Sequence, residues 1–424
     1  MIDYSKLPHH EVACLDIKSF YASVEAVDRG LDPLTTLLAV VGDNRPGSVV
    51  LAASPALKKQ FGIRTGNRRY EIPSDQRIRI VNARMGLYLS TSMAITKLLN
   101  QYVPSEAIHT YSVDESWIIL DGTSHLHGTT FEAVQRIQAD ILIQHGLSSS
   151  AGIGPNKFIA KAVMDTIGKK TGIAECRYQD VPRLLWPQPV EDIWGIGSRL
   201  KKKLNSIGIY QLGDIAHYPL SKLQRQFGNL MGHQLFYHSW GVDISPVFVD
   251  IKDEIRKGFS NGITLMRNYS FQEVSTPVLE LTDHIASRMR QTHTATKTVT
   301  LSIGYSKDDG LKGFSRSKTL PEATNIAKVL YNTCMELLRS ANARASIRNV
   351  HVGVSNLVPE EAIQVDLFSG PTDEKLQQLG ATLDSIQARF GGSAIFRASS
   401  ITNAGTFLGR SQKIGGHYGV PPTF

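Results

Sequence analysis

The chain has 424 residues, 42% of them hydrophobic and 20% charged, which calls for several domains and fits an ordinary globular protein. No apolar run reaches the length of a membrane span, the first residues lack a signal-peptide pattern, and Cys14, Cys176 and Cys334 stand isolated without metal-ligand spacing. Membrane-spanning, secreted and disulfide-scaffold classes are therefore set aside, and a cytoplasmic protein with no membrane partner is predicted. The net charge of +8 suits a polyanion partner or a merely solvated basic face.

The first predicted strand, Val12 to Asp16, runs into a helix over Phe20–Gly30. Strands over Thr36–Val41 and Gly47–Ala52 follow, then a helix with Ser54 as N-cap and Pro55 in its first turn. A helix with apolar helical spacing spans Met85 to Gln101, and a hairpin follows with arms Ile108–Val113 and Ser116–Leu120. Its tip carries Asp114-Glu115, where adjacent side chains escape the alternation that would separate them mid-strand. Carboxylates gathered together repel and lose solvation, so a fold that assembles Asp16, Asp114 and Glu115 calls for a cation, and an all-oxygen set suits Mg²⁺. After a helix over Thr130–Gln144 comes the strand Ser149–Ile153, and Gly154-Pro155-Asn156-Lys157 opens another helix. This interleaving indicates an α+β domain rather than a doubly wound one.

Prolines crowd at Pro182–Pro189, where the pattern becomes all-helical. Two short helices flank Gly195-Ile196-Gly197, followed by Lys201-Lys202-Lys203. Free backbone N–H groups at the second helix and the adjacent lysines fit a helix-hairpin-helix that grips a DNA backbone, with Gly195, Gly197 and Lys201 as contacts. From Ser260 a second α+β unit begins, and residues 251–350 hold 15 Lys/Arg against 9 Asp/Glu. Its strand Lys297–Tyr305 points Val299, Leu301 and Ile303 inward and Thr298, Thr300 and Ser302 outward. The strand Lys312–Lys318 places Lys312, Arg316 and Lys318 on one face, so a hydroxyl-rich and basic sheet face is expected to hold a nucleic-acid backbone. Helices are predicted over Phe271–Arg290 and Pro321–Ser340, a last strand over Asn349–Val354, and a helix over Glu374–Phe390 beyond a loop containing Gln364-Val365-Asp366-Leu367-Phe368.

Together these residues resemble the Y-family translesion DNA polymerases, in the UmuC-like, UvrX-type branch. The resemblance covers the chain from Glu11 to Phe368. It is carried by Asp16 followed by Phe20-Tyr21, by Ser112-Val113-Asp114-Glu115, and by Gly152-Ile153 with Asn156-Lys157 and Ala160-Lys161, in that order. The implied fold is an α+β multidomain right hand. Its palm occupies residues 1–25 and 75–175, with small fingers at 26–74 and a helical thumb containing the helix-hairpin-helix at 176–248. An α+β little finger at 255–356 binds DNA, and a C-terminal tail at 357–424 carries a clamp-binding motif.

The resemblance implies low-fidelity, template-directed nucleotidyl transfer from a dNTP to a primer 3′-hydroxyl, assisted by two Mg²⁺ ions. It makes Asp16, Asp114 and Glu115 the catalytic acids and metal ligands, with the Ile17 carbonyl as a further ligand. Phe20 and Tyr21 would meet the incoming nucleotide, the Tyr21 ring excluding a ribose 2′-hydroxyl. Lys59 and Lys169 would meet the triphosphate, although the spacing to Lys169 is one residue longer than in some members and leaves Lys170 as an alternative. Ala56 stands where other branches carry a phosphate-binding tyrosine. Gln364, Leu367 and Phe368 resemble a sliding-clamp motif, and primer-template DNA, dNTP, the clamp and accessory subunits are the implied partners. A non-catalytic, clamp-bound DNA adaptor and a nucleotide cyclase are the rival readings. The first lacks the acids this chain has; the second has no use for a helix-hairpin-helix.

Overall fold

The computed structural model describes residues 2–248, 256–339, 345–362 and 371–419. It falls into two compact units, one of residues 1–253 with 417–424 and one of residues 254–416. No helix among the described residues is long and apolar enough to cross a membrane.

In the first unit the elements that matter are β1 (Val12–Ile17), α1 (Phe20–Asp28), β2 (Leu38–Val41), β3 (Val50–Ala53), α2 (Pro55–Phe61), β4 (Arg79–Asn82), α3 (Met85–Leu99), β5 (Ile108–Thr110), β6 (Glu115–Ile119), α4 (Thr130–His145), β7 (Ser149–Gly154), α5 (Lys157–Val163) and β8 (Ile173–Glu175). The helices α6 (Ser198–Asn205), α7 (Leu212–Ala216), α8 (Leu220–Phe227) and α9 (Asn229–Ser239) follow. Strand β1 is apolar on both faces because it lies at the centre of a five-stranded sheet ordered β5-β6-β1-β7-β8. Its neighbours β6 and β7 both run antiparallel to it, while β8 is parallel to β7. Helices α1, α3 and α4 supply Val24, Tyr88, Leu98, Ile137 and Ile141 to the core on one face. The mixed sheet with helices is the α+β architecture expected.

A separate three-stranded sheet, β3-β2-β4, stands between α1 and α3. It extends the inserted element past the boundary expected at residue 74, because β4 pairs in parallel with β2 through Asn82. Helix α2 begins as predicted, with Ser54 Oγ accepting from the Leu57 amide and Pro55 at its first position. Further on, the first of the two short helices expected around Gly195 is only a single 3₁₀ turn, Val190–Asp192.

The second unit is a four-stranded antiparallel sheet ordered β11-β10-β12-β9, formed by β9 (Gly258–Tyr269), β10 (Thr294–Tyr305), β11 (Phe314–Thr324) and β12 (Ile347–Pro359). Helices α10 (Ser275–Gln291) and α11 (Ala327–Leu338) cover one face, packing Leu281, Ile285, Leu330 and Cys334 on Val299, Leu301, Val350 and Val352. The helix expected from Pro321 begins only at Ala327. Pro321 instead lies in β11, an edge strand, where its missing N–H breaks no ladder. Helix α12 (Pro371–Phe390) packs on α10 through the bidentate Arg290–Asp384 pair, whose closest contact is 2.6 Å.

Candidate active site

The two acidic strands meet. Asp16 and Glu115 are register partners across β1 and β6, and the Ile17 amide donates to the Asp114 carbonyl at 2.9 Å. The hairpin between β5 and β6 closes tightly, with the Tyr111 and Ser112 amides both donating to the Glu115 carbonyl at 3.0 and 3.1 Å. That turn frees Asp114 from strand alternation, and the Ser112 hydroxyl donates to its carboxylate at 2.6 Å. All three acids therefore stand at one end of the sheet.

Their carboxylates do not converge. Among the described residues no three His, Cys, Asp or Glu side chains form a ready metal cluster. Glu115 is nearly buried and turns inward, accepting from Lys161 Nζ at 2.8 Å and from the Cys14 thiol at 3.4 Å. Asp16 pairs with Lys169 at 3.2 Å. The lysines partly offset a charge that burial disfavours. Burial raises the Asp16 carboxyl above its ordinary range, Lys169 pulls it back, and nearby Asp114 adds to the rise. Burial likewise raises Glu115 against the pull of Lys161. Three carboxylates with the adjacent Ile17 carbonyl match the hard-oxygen preference of Mg²⁺.

Both lysines come from one stretch of helix. Asn156 caps α5 by accepting from the Ile159 amide at 2.9 Å, and ties it to the end of α9 by donating to the Gly241 carbonyl at 2.8 Å. Helix α5 then passes into a π turn, Met164–Gly168, before Lys169. The turn lies directly on β7. A Cβ on Gly152 would sit 2.2 Å from the Ala160 carbonyl oxygen, and one on Gly168 would sit 2.3 Å from that of Ala151. Backbone contact of this kind needs glycine and fixes Lys161 and Lys169 over β1. The π turn takes up the one-residue excess in the spacing, so Lys169, rather than Lys170, reaches Asp16.

Around this centre the other expected contacts sort unevenly. Phe20 is 2% exposed and its ring belongs to the core, so the ring is not open to the nucleotide contact expected of it. Tyr21 is half-buried and stacks on Tyr88 with ring centroids 4.4 Å apart and planes 17° apart. Tyr88 donates to the fully buried Glu25 at 2.7 Å, and Arg84 holds the same carboxylate at 2.7 and 3.0 Å. Ser19, left-handed at φ 50°, precedes α1 without capping it, and its hydroxyl accepts from Lys58 Nζ at 2.8 Å. Lys58 lies close enough to Asp16 and Lys169 for both charges to act on it, burial lowering its pKa overall. Lys59, one position on, is exposed and makes no hydrogen bond or ion pair with any described residue. The helix turns about 100° per residue, so it is Lys58, not Lys59, that lies beside Ser19, Asp16 and Lys169. Lys161, Lys58, Asp165 and Cys14 were not foreseen; only the four-residue spacing of Lys161, Asp165 and Lys169 hints at a shared face.

At the helical segment, Gly195 has φ 90° and Gly197 caps α6, which leaves the first-turn amides of Ser198, Arg199 and Leu200 outside the helix ladder. Lys201 pairs with Glu191 at 2.7 Å and Lys203 lies 4.7 Å over the Phe227 ring. In the second unit the expected basic face needs correction. Register places Arg316 beside Leu301 and Lys318 beside Val299, on the helix-covered side. Lys318 there binds Glu336 of α11 at 2.6 Å, and Lys312 precedes the strand. The open face is polar but carries none of the three expected basic residues: beside its hydroxyls stand His351, opposite Ser302, and Asn349, opposite Gly304. Thr300 meets Ser317 at 2.8 Å and Ser302 meets Ser315 at 2.7 Å. Gln364, Leu367 and Phe368 lie outside the described residues.

Comparison with known proteins matches three family models: impB/mucB/samB family at residues 15–165, impB/mucB/samB family C-terminal domain at 256–367, and DNA polymerase-iota, thumb domain at 191–243. A Bacillus subtilis (strain 168) protein with the provisional name UV-damage repair protein UvrX is 43% identical over 98% of this chain and 100% of its own length. DNA polymerase IV 2 of the same organism is 34% identical over 95% of this chain and 98% of its own. A solved Y-family DNA polymerase chimera of Dbh and Dpo4 shares the fold at a TM-score of 0.66 and 23% identity, covering 82% of this chain and 99% of that one.

Proposed function

The chain belongs to the impB/mucB/samB family, that of the Y-family DNA polymerases in its UmuC-like branch, and on that premise we propose how it copies DNA. It is a DNA-directed DNA polymerase of the translesion kind, acting on primer-template DNA and dNTP. The five-stranded sheet is the palm, the β3-β2-β4 sheet the fingers, the segment from Val190 to Ser239 the thumb and the second unit the little finger. A small fingers sheet checks base-pair shape weakly, which is the source of low fidelity.

The register pair Asp16–Glu115, with Asp114 at the adjoining turn, carries this reading. Asp16, Asp114, Glu115 and the Ile17 carbonyl would hold two Mg²⁺ ions, which when bound stabilise the attacking and leaving oxygens of an in-line displacement at phosphorus. For this, Glu115 must turn from Lys161, and Asp16 must exchange Lys169 for metal. The uncapped first turn of α1 and the ammonium groups of Lys58 and Lys169 form a cradle for the triphosphate beside Asp16. Tyr21, braced by Tyr88, forms the floor under the sugar and leaves no room for a 2′-hydroxyl. No side chain acts as a nucleophile, so positioning and charge neutralisation supply the rate. The α6 amides next to Gly195 and Gly197 and the hydroxyl face of the second unit hold the duplex through its backbone. Gln364, Leu367 and Phe368 bind a sliding clamp.

The test is primer extension with Mg²⁺ and four dNTPs, comparing wild type with Asp114→Ala. Template-dependent extension by the wild type alone supports the reading. If neither protein extends the primer while both bind DNA, the adaptor reading takes its place.

A further inference from the structure

Asp165 is not among the acids the chemistry needs, yet it is the residue to which both site lysines are tied. It accepts from Lys161 at 3.1 Å and from Lys169 at 2.8 Å. An unbroken chain of ion pairs thus runs from Glu115 through Lys161, Asp165 and Lys169 to Asp16. The two ends of the chain are ligands that must release their lysines when metal binds. The middle is free to stay.

We propose that Asp165 is a positioning residue: it retains Lys169 beside the site when Asp16 takes metal, and so presents that ammonium to the triphosphate. This rests on the polymerase reading above. Lys161 is only 7% exposed and cannot travel, whereas the Lys169 side chain is 46% exposed, open to solvent along one side. Released from Asp16 and otherwise untethered, such a side chain would disperse over its rotamers, and collecting it again would cost side-chain entropy. The bond to Asp165 removes much of that freedom beforehand.

The helix is built for this pairing. Lys161, Asp165 and Lys169 are spaced four and four, and in a regular helix a residue eight positions on has swung about 80° around the axis. The π turn over Met164–Gly168 lies between them and takes up that excess, so both ammonium groups face one carboxylate. Gly168, pressed on the Ala151 carbonyl, holds the turn in place.

The experiment measures equilibrium binding of the complementary dNTP, with Ca²⁺ in place of Mg²⁺, to full-length protein on a dideoxy-terminated primer-template. KM and kcat for extension are taken in parallel. Asp165→Asn should weaken dNTP binding about 10-fold and raise KM accordingly, with kcat changed far less. In a Lys169→Ala background the same substitution should cost nothing further, since the residue through which Asp165 acts is gone. Unchanged dNTP binding by Asp165→Asn would overturn the proposal. So would an equal loss with and without Lys169, the mark of a merely structural role. Asp165→Ser supplies the same comparison should the Asn form fail to fold. A wild type that binds primer-template but no dNTP would instead count against the polymerase reading itself.

Discussion

Tyr21 lies flat against Tyr88, 4.4 Å between ring centroids, and Tyr88 is anchored by its hydroxyl to the buried Glu25. A ring supported from below cannot yield to a ribose 2′-hydroxyl. Tyr21→Ala should leave deoxynucleotide incorporation within about threefold and raise ribonucleotide incorporation by about 100-fold, the worth of a steric clash of a few kcal/mol. Tyr88→Phe, which keeps the stack and removes the anchor, should give a smaller rise of the same sign. Single-nucleotide kcat/KM values for a dNTP and its ribonucleotide decide it; an unchanged ratio in Tyr21→Ala would dismiss the gate.

The pH dependence follows from Asp16 and Glu115. Burial raises both carboxyls, so they ionise later than exposed carboxylates, and in the proposed role as metal ligands they would act only above that raised range. The acid limb of kcat/KM should therefore lie above the ordinary carboxylate region and move to lower pH as free Mg²⁺ is raised, because the cation favours the ionised form. An acid limb indifferent to Mg²⁺ concentration would rule this out.

The same shift makes a stability claim. A carboxyl with a raised folded-state pKa contributes most below its unfolded pKa, and that contribution is lost as pH rises through the folded value. At neutral pH Asp16 is thus a cost to the metal-free fold. Asp16→Asn should abolish extension yet raise Tm without metal by about 2–4 °C, the equivalent of roughly 1 kcal/mol in a unit of this size. Lys169 keeps its bond to Asp165 in that variant. The gain should shrink as the pH is lowered, and melting curves at neutral and acid pH read it directly.

Much of this was legible because it is local. Asp16 ends an apolar run, Asp114-Glu115 follow a short strand with a turn, and Asn156 announces a helix start, each within a dozen residues. What was hidden depends on neighbours. Strands β4, β8 and β9 are short or at sheet edges, where little burial enforces a pattern. Alternation correctly grouped Arg316 with Lys318, but parity cannot say which face the helices cover, and pairing with Leu301 and Val299 decided it. A π turn leaves no composition signal beyond a spacing one residue too long. Lys58 and Lys59 are chemically alike, and only the rotation of α2 distinguishes them.

Gly152 tests the packing that aims the lysines. Its φ is ordinary, so conformational freedom is not the reason for glycine; close approach is. An added Cβ would lie 2.2 Å from the Ala160 oxygen and 2.6 Å from the Met164 nitrogen, both backbone atoms that cannot move aside. Gly152→Ala should destabilise the fold by about 1–3 kcal/mol, the usual range for overpacking, and lose extension more steeply than stability because α5 and its π turn are pushed from β1. Denaturant unfolding and extension on the same preparation separate the two losses. Stability within about 0.5 kcal/mol of wild type would contradict the close approach.

The second unit makes the last prediction, since its open face carries hydroxyls, His351 and Asn349 in place of the lysine and arginine expected of a DNA platform. Thr300, Ser302, Ser315 and Ser317 form paired hydroxyls across β10 and β11, while Lys318 on the covered side is spent on Glu336. Hydroxyls can donate to phosphate oxygens without releasing counterions, so this face should bind with little salt dependence. Lys318→Ala should change primer-template affinity by less than about threefold, consistent with the small worth of an exposed ion pair. Thr300→Glu should lower it by about 10-fold or more, because a carboxylate there opposes every nearby phosphate and its effect should weaken as salt is raised. Affinities measured by fluorescence anisotropy across a salt series would show both. A steep loss on Lys318→Ala, with Thr300→Glu tolerated, would return the duplex to the basic side of the sheet.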